Sequence, residues 1–252
     1  MNRVPVIFDC DTGLDDSLAL FIAVNDPRIN VLCVTSSFGN TELEHATLNT
    51  LNALATLGHT DIPVAAGAKS GWVKPLMTSP QIHGTSGIGM YVYPGDHFEA
   101  FAGEPAWDLT YDLLMKSDRK VVYFALGPCT NLATTLRKYP EVRDKLEKVI
   151  FMGGTLREAA ATQCASVNVY HDPEACRYVI NSGVPFYMCT HLMTNRVRIT
   201  RKQIDENLKN GNGVLKTAWH FLSDYFDNCN RFGENENDSL ALHDPATVLY
   251  LI

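Results

Sequence analysis

Basic residues are in the minority: Lys and Arg total 21 against 28 Asp and Glu, a formal charge of −7. Binding nucleic acid needs a basic face to neutralise phosphates, so this balance argues against that class. Long apolar runs are also missing, since no stretch approaches the roughly 20 residues of a membrane span. MNRVPVIF runs straight into a strand-like segment without a signal-peptide core, so a cytoplasmic location is expected. The seven cysteines form no CxxC pair, which argues for reduced thiols and against a zinc site built on sulfur. No internal repeat or clear linker interrupts the chain, so one domain over residues 1–252 is expected. The chain does have enough apolar residues, 46%, to bury a large core.

The apolar pattern alternates between short runs and helical spacing. VPVIF (4–8), INVLCVTSS (29–37), IPVAAG (62–67), KVVYFAL (120–126), KVIFMGG (148–154) and VPFYMCT (184–190) read as strands. Between them, residues 15–24, 41–58 and 172–183 have helical periodicity, the last two closed by Gly58 and Gly183. Strands that alternate with helices predict an α/β fold with an open, mostly parallel sheet and helices on both faces. Residues 68–103, rich in Gly, Pro, Ser and aromatics, are expected to form a long loop over a site. Residues 201–240 read as helices followed by the polar segment NRFGENENDS.

VIFDCDTGLDDSLAL places Asp9, Asp11, Asp15 and Asp16 within eight positions, where the first strand is expected to end at Phe8 or Asp9. Ligands of open α/β sheets gather at the carboxyl ends of the strands. One carboxylate at a helix start is ordinary capping. Four exceed the N–H groups that need partners, and their repulsion raises their pKa values unless a cation intervenes. An oxygen-only donor set selects a hard ion, Ca²⁺ or Mg²⁺. Other expected strand ends carry Asn40, Leu126 with a main-chain carbonyl free to turn, and Met152; Asn168 and the His243-Asp244-Pro245 run are polar islands in apolar settings. Singly, each is also satisfied by a structural role; Asp244-Pro245 alone reads as an N-cap with Pro at N1.

Two family resemblances compete for the opening motif. DCDTG has the strand-then-DxDxT form of haloacid-dehalogenase-type phosphatases, which implies Asp9 as nucleophile, Asp11 as acid/base and Mg²⁺. DCDTGLDDSLAL also resembles the DxDxGxDDxxA signature of the inosine-uridine-preferring nucleoside hydrolases, and here the agreement continues. SSFGNTELEHATLNTLNAL, IPVAAGA, IHGTSGIG, ALGPCTNLA, FMGG, VNVYHDPEA and LHDPATV are similar to that family's blocks in the same order. This second resemblance covers nearly the whole chain. It implies a Rossmann-like fold and Ca²⁺-dependent hydrolysis of ribonucleosides to ribose and free base, within purine or pyrimidine salvage. It further implies that Asp11, Asp16, Asp244 and the Leu126 carbonyl hold the ion. Asp15, Asn40, Met152 and Asn168 would meet the sugar, and His83 and His243 would lie near the base. Asp11 would act as general base and His243 as candidate acid, with Asp9 orienting its neighbours. His191, after a strand end, could line the site. The partner is then a small nucleoside, and a homodimer or homotetramer is expected.

The sequence also departs from this pattern. Ser166 stands where the family carries an acid toward the ribose 5′-hydroxyl, and Ala160 where an Asn is common. The chain ends soon after HDPATVLYLI, so the family's C-terminal segment is expected to be missing. A non-catalytic nucleoside- or ribose-binding protein is the third reading these departures motivate. For base contacts, Trp72, Tyr91, Tyr93, Tyr225, Phe226, Arg231 and Phe232 are the available side chains.

Overall fold

The computed structural model describes residues 3–155, 162, 165–233 and 237–252. Its centre is a six-stranded parallel sheet of order β3-β2-β1-β4-β5-β6. The strands are β1 (Val4–Cys10), β2 (Ile29–Ser36), β3 (Val64–Ala66), β4 (Val121–Ala125), β5 (Leu146–Met152) and β6 (Phe186–Cys189). All six expected strands are present. β1 runs on to Cys10, so Asp9 is a strand residue, in register with Thr35 of β2 and Ala125 of β4.

β1 is buried on both faces, and its period of two splits it between two cores. Ile7 joins Tyr123, Ala125 and the helices α4 (Ala106–Lys116), α5 (Thr130–Lys138) and α7 (Pro173–Ile180). Val6, Phe8 and Cys10 join the opposite face with α1 (Leu14–Asn25), α2 (Leu43–Thr56) and Val248 of α11 (His243–Leu251). Phe8 stacks flat on Phe124 of the neighbouring strand, with centroids 4.4 Å apart. A third cluster packs the outer side of α1, through Leu14, Leu18 and Phe21, against α10 (Val214–Arg231) and Ile204 of α9 (Arg201–Leu208).

From β1 the chain winds outward through β2 to β3, then returns to build β4, β5 and β6 on the other side. The order therefore reverses between β1 and β4, and a crevice opens at their carboxyl ends. Residues 68–103 cross this edge, as expected, and contain one helical turn, α3 (Pro80–His83). Two short helices, α6 (Val167–His171) and α8 (His191–Thr194), stand after β5 and β6. The antiparallel pair β7 (Arg198–Thr200) and β8 (Ser239–Ala241), which the sequence reading missed, leads the chain back into α11. Among the described residues no helix is long and apolar enough to cross a membrane.

Candidate active site

The switch-point crevice holds a cavity of about 590 Å³. Its lining includes Asp15, Asn40, His83, Leu126, Met152, Asn168, His191, His243 and Asp244. Asp11 and Asp16 are not among the lining residues, and are 1% and 0% exposed. The long loop supplies Met77 to Ser79 and Gln81 to His83 of one wall, while α10 supplies Tyr225 and Cys229.

The turn after β1 delivers the acids. Asp16 folds back so that its Oδ2 accepts from Gly13 N at 2.9 Å, closing the start of α1. The same oxygen accepts from Asn40 Nδ2 at 2.8 Å, and Asn40 N donates to Asp11 Oδ2 at 2.7 Å. Asn40 thus clamps two carboxylates. Asp11 is wedged between backbone on two sides: a Cβ at Gly39 would collide with its Oδ2, and one at Gly127 would stand 2.8 Å from its Oδ1. Only glycine allows both approaches.

Ligand atoms of Asp15, Asp16 and Asp244 lie within 4.8 Å of one another. The tightest trio therefore includes Asp15, which the resemblance assigns to the sugar, while Asp11 abuts it with one oxygen turned to Asn40. Burial, aided by the neighbouring acids, pushes Asp11 and Asp244 well above the usual carboxylate range. Burial likewise lifts Asp15 and Asp16 to about 6. One oxygen each of Asp9, Asp11, Asp15 and Asp16 is buried without a hydrogen-bond partner. Buried carboxylates that repel one another and keep oxygens without partners favour a bound cation. The donor set is oxygen only, which fits a hard divalent ion.

Asp9 behaves differently. Its Oδ1 accepts from Asn131 Nδ2 at 2.7 Å and Thr35 Oγ1 at 2.8 Å, and burial raises it to about 7. Unlike Asp11, which abuts Asp15 and Asp16, Asp9 spends Oδ1 on two donors within the sheet and its flanking helix, which is the place of a supporting group rather than of a nucleophile offered to a phosphoester. Asn131, from ALGPCTNLA, is the support the sequence reading did not single out.

Asn168 donates to the carbonyls of Leu126 and Met152, the latter at 3.0 Å. His83 is 6% exposed, accepts from Leu14 N at 3.3 Å through Nδ1, and stacks on Tyr225 with centroids 5.7 Å apart. Tyr225 also donates to Asp15 Oδ2 at 3.3 Å. Burial holds His83 down at about 4. His243 stacks on His191 at 5.0 Å, and its Nδ1 lies 2.7 Å from Thr194 Oγ1, another contact the sequence gave no sign of. Burial, with His191 and Arg198 nearby, takes His243 down to about 3. α11 begins after Leu242 rather than at Asp244, so Asp244 sits inside the first turn and is not an N-cap.

Ser166 accepts from Gly154 N at 2.7 Å and lines the cavity; Ala160 lies outside the described residues. Of the aromatic candidates, Tyr225 reaches the cavity. Tyr91, Tyr93 and Phe226 pack in the third core cluster, and Trp72 sits against the α4–α5–α7 core.

The family model for inosine-uridine preferring nucleoside hydrolases matches residues 6–252. A pyrimidine-specific ribonucleoside hydrolase RihA from an Enterobacter species is 34% identical over 249 residues, covering 99% of this chain and 79% of that protein. One of the same name from Photobacterium profundum is also 34% identical, over 100% of this chain and 80% of its own. Among solved structures, a plant nucleoside hydrolase superposes with TM-score 0.91 at 28% identity, covering 98% of this chain and 78% of its own. A purine-preferring ribonucleoside hydrolase from Gardnerella vaginalis gives the same score and identity over 98% and 79%. The chain belongs to the inosine-uridine preferring nucleoside hydrolase family, and is an N-glycosidase of that kind.

Proposed function

We propose that this single catalytic domain hydrolyses the N-glycosidic bond of ribonucleosides with a Ca²⁺ ion at the carboxylate cluster. One observation carries the reading: buried carboxylates with unpartnered oxygens underlie a cavity walled by His83, His243 and Asn168. Asp11, Asp16, Asp244 and the Leu126 carbonyl would hold the ion. When bound, it supplies a hard positive centre that anchors a vicinal diol and makes water easier to deprotonate. Calcium suits a crowded oxygen cage better than magnesium, which keeps several of its waters. Asp15, Asn40 and Asn168 then face the sugar hydroxyls, with Met152 beside the ring. Turning the Asn168 amide toward a hydroxyl would free the Leu126 carbonyl it now engages.

Cleavage builds positive charge on the ribosyl centre, and the carboxylate floor favours that charge. Asp11 takes the proton of the attacking water, a contribution of about 10²–10⁴-fold. Attack from the face opposite the base inverts C1′, by analogy with inverting glycosidases. His243 stands toward the leaving base. With its pKa held down at about 3, the ring is neutral at neutral pH and offers one N–H. Its part is to donate that hydrogen bond, the proton following as the base takes up negative charge. The relatives named above as pyrimidine-specific make uridine and cytidine the first substrates to test. A cytoplasmic homodimer or homotetramer serving nucleoside salvage belongs to the same reading and rests on the family resemblance.

The test is incubation with uridine, cytidine, inosine and adenosine, with and without a chelator, followed by assay of free ribose. Turnover that the chelator abolishes and Ca²⁺ restores is expected. Silence on all four with metal bound overturns the reading. Saturable nucleoside binding without turnover would instead make the chain a binding protein. Asp11→Ala should abolish turnover in a hydrolase, whereas a binding protein has none to lose.

A further inference from the structure

The cavity has two chemically distinct ends. One holds Asp15 and Asp244 with His83, His243 and Tyr225. The other is lined by Ser166, Val167, Tyr170 and His171, and among the described residues carries no carboxylate. Lys74 stands beside this end, with its ammonium 3.0 Å from the centroid of the Tyr170 ring. Among the described residues it makes no ion pair with an acid. His171 is 3% exposed, and its Nδ1 is sealed from solvent without a hydrogen-bond partner. The charge that bears on His171 is that of Lys74, which together with burial keeps the ring neutral. A neutral imidazole carries one N–H. A buried N–H without an acceptor is costly, so the proton belongs on Nε2, the nitrogen left to face the cavity. Among the described residues this end therefore offers an imidazole N–H with an ammonium beside it, and no acid to satisfy them.

The sugar geometry says what would reach it. This step rests on the proposed function. In a furanose, C1′ and C4′ flank the ring oxygen, across the ring from the 2′,3′-diol. With the diol on the carboxylate floor and the base toward His83 and His243, the 5′ arm extends toward the remaining end. We propose that the Lys74–Tyr170–His171 end of the cavity binds a phosphate on the 5′ arm, which makes ribonucleoside 5′-monophosphates substrates. The reaction balances as a hydrolysis. The C1′–N bond breaks and a C1′–O bond to water forms. One water proton ends on the base and the other stays on the new anomeric hydroxyl, giving ribose 5-phosphate.

The experiment compares kcat/KM for uridine, cytidine and inosine with that for their 5′-monophosphates in Ca²⁺, reading base release. The monophosphates are expected to be better by about tenfold or more, the scale of one charge-assisted contact. Lys74→Met, which keeps an apolar stem over Tyr170, should reduce the monophosphate-to-nucleoside ratio by about tenfold, mainly through KM. His171→Gln should move the ratio the same way. Nucleosides outrunning their monophosphates, or a ratio unmoved in Lys74→Met, overturns the proposal. If no compound of either kind is cleaved, the proposed function fails and calorimetry decides the subsite separately. Ribose 5-phosphate should then bind about tenfold tighter than ribose, and equal binding overturns the subsite. Inorganic phosphate competing as well as ribose 5-phosphate would also overturn it, because the arm would then play no part.

Discussion

Two Asp-Pro pairs open helices at the same edge of the sheet, and they do opposite things. At Asp172-Pro173 both carboxylate oxygens are spent. Oδ1 accepts from Ala175 N at 3.0 Å, and Oδ2 from Trp72 N at 2.9 Å and Thr130 Oγ1 at 2.8 Å. This is a helix cap that also ties down the long loop. At Asp244-Pro245 the helix has already begun, and the carboxyl is buried among Asp15, Asp16 and Asp11. The same dipeptide is satisfied by N–H and O–H donors in one place and surrounded by like charge in the other. The first needs nothing further, whereas the second needs a cation.

Swapping each Asp for Asn breaks this comparison most sharply. Asp244→Asn should cost activity by more than about 100-fold, beyond what loss of a supporting group costs a metal site. It should also abolish stabilisation by Ca²⁺, which for the parent protein is about 2.7 kcal/mol at a hundredfold excess over Kd. Asp172→Asn should keep that Ca²⁺ response. An amide nitrogen cannot accept, so at least one donor is orphaned and stability should fall by about 1–3 kcal/mol. Thermal unfolding with and without Ca²⁺ checks both. A Ca²⁺ response that is intact in Asp244→Asn and lost in Asp172→Asn would reverse the assignment.

The sequence could show that both pairs exist, but not which is which. Spacing alone placed Asp9, Asp11, Asp15 and Asp16 at a strand end, because alternation and an abrupt run of acids are local signals. The family resemblance set Asp9 apart from Asp11, but the physical reason needed the fold. Asp9 is held within β1 by Asn131, 122 positions away, whereas Asp11 lies just past the strand's end at Cys10. Trp72, which satisfies Asp172, is 100 positions distant from it. β7 and β8 escaped notice because three residues each are too few to show a period. α4 lies between the long loop and β4, outside the expected elements.

The pH dependence sharpens the comparison at intermediate strength. With chelator present, Asp9 sits at about 7 and Asp15 and Asp16 at about 6, all above the unfolded value. A carboxyl raised in the folded state binds more protons folded than unfolded between the two values. Its stabilising contribution is complete below about pH 4 and is lost as pH rises through 6 to 7. Chelated protein should therefore lose stability across that window, by a few kcal/mol in order of magnitude. Ca²⁺ favours the ionised carboxylates and should remove the loss. Urea midpoints from pH 4.5 to 8 test this, and rising stability in the chelated series contradicts it.

The smallest effect concerns the neighbour of Asp244. Thr194 Oγ1 lies 2.7 Å from His243 Nδ1. If the hydroxyl donates, Nδ1 is bare and the single ring N–H is on Nε2, free to meet the leaving base. If the hydroxyl accepts, the ring N–H is consumed and Nε2 can only accept. Only the first arrangement lets a neutral His243 assist departure of the base. Thr194→Val keeps the shape and removes the partner, which costs about 0.5–1.5 kcal/mol for one hydrogen bond. That corresponds to a two- to tenfold fall in kcat, about the tenfold per 1.4 kcal/mol of a rate constant. KM should hardly move, since the contact acts on the departing base rather than on the gripped sugar. Thr194→Ser, which restores the hydroxyl, should recover kcat. Loss of kcat in both variants would show that the methyl group, and so packing around His243, is what matters there.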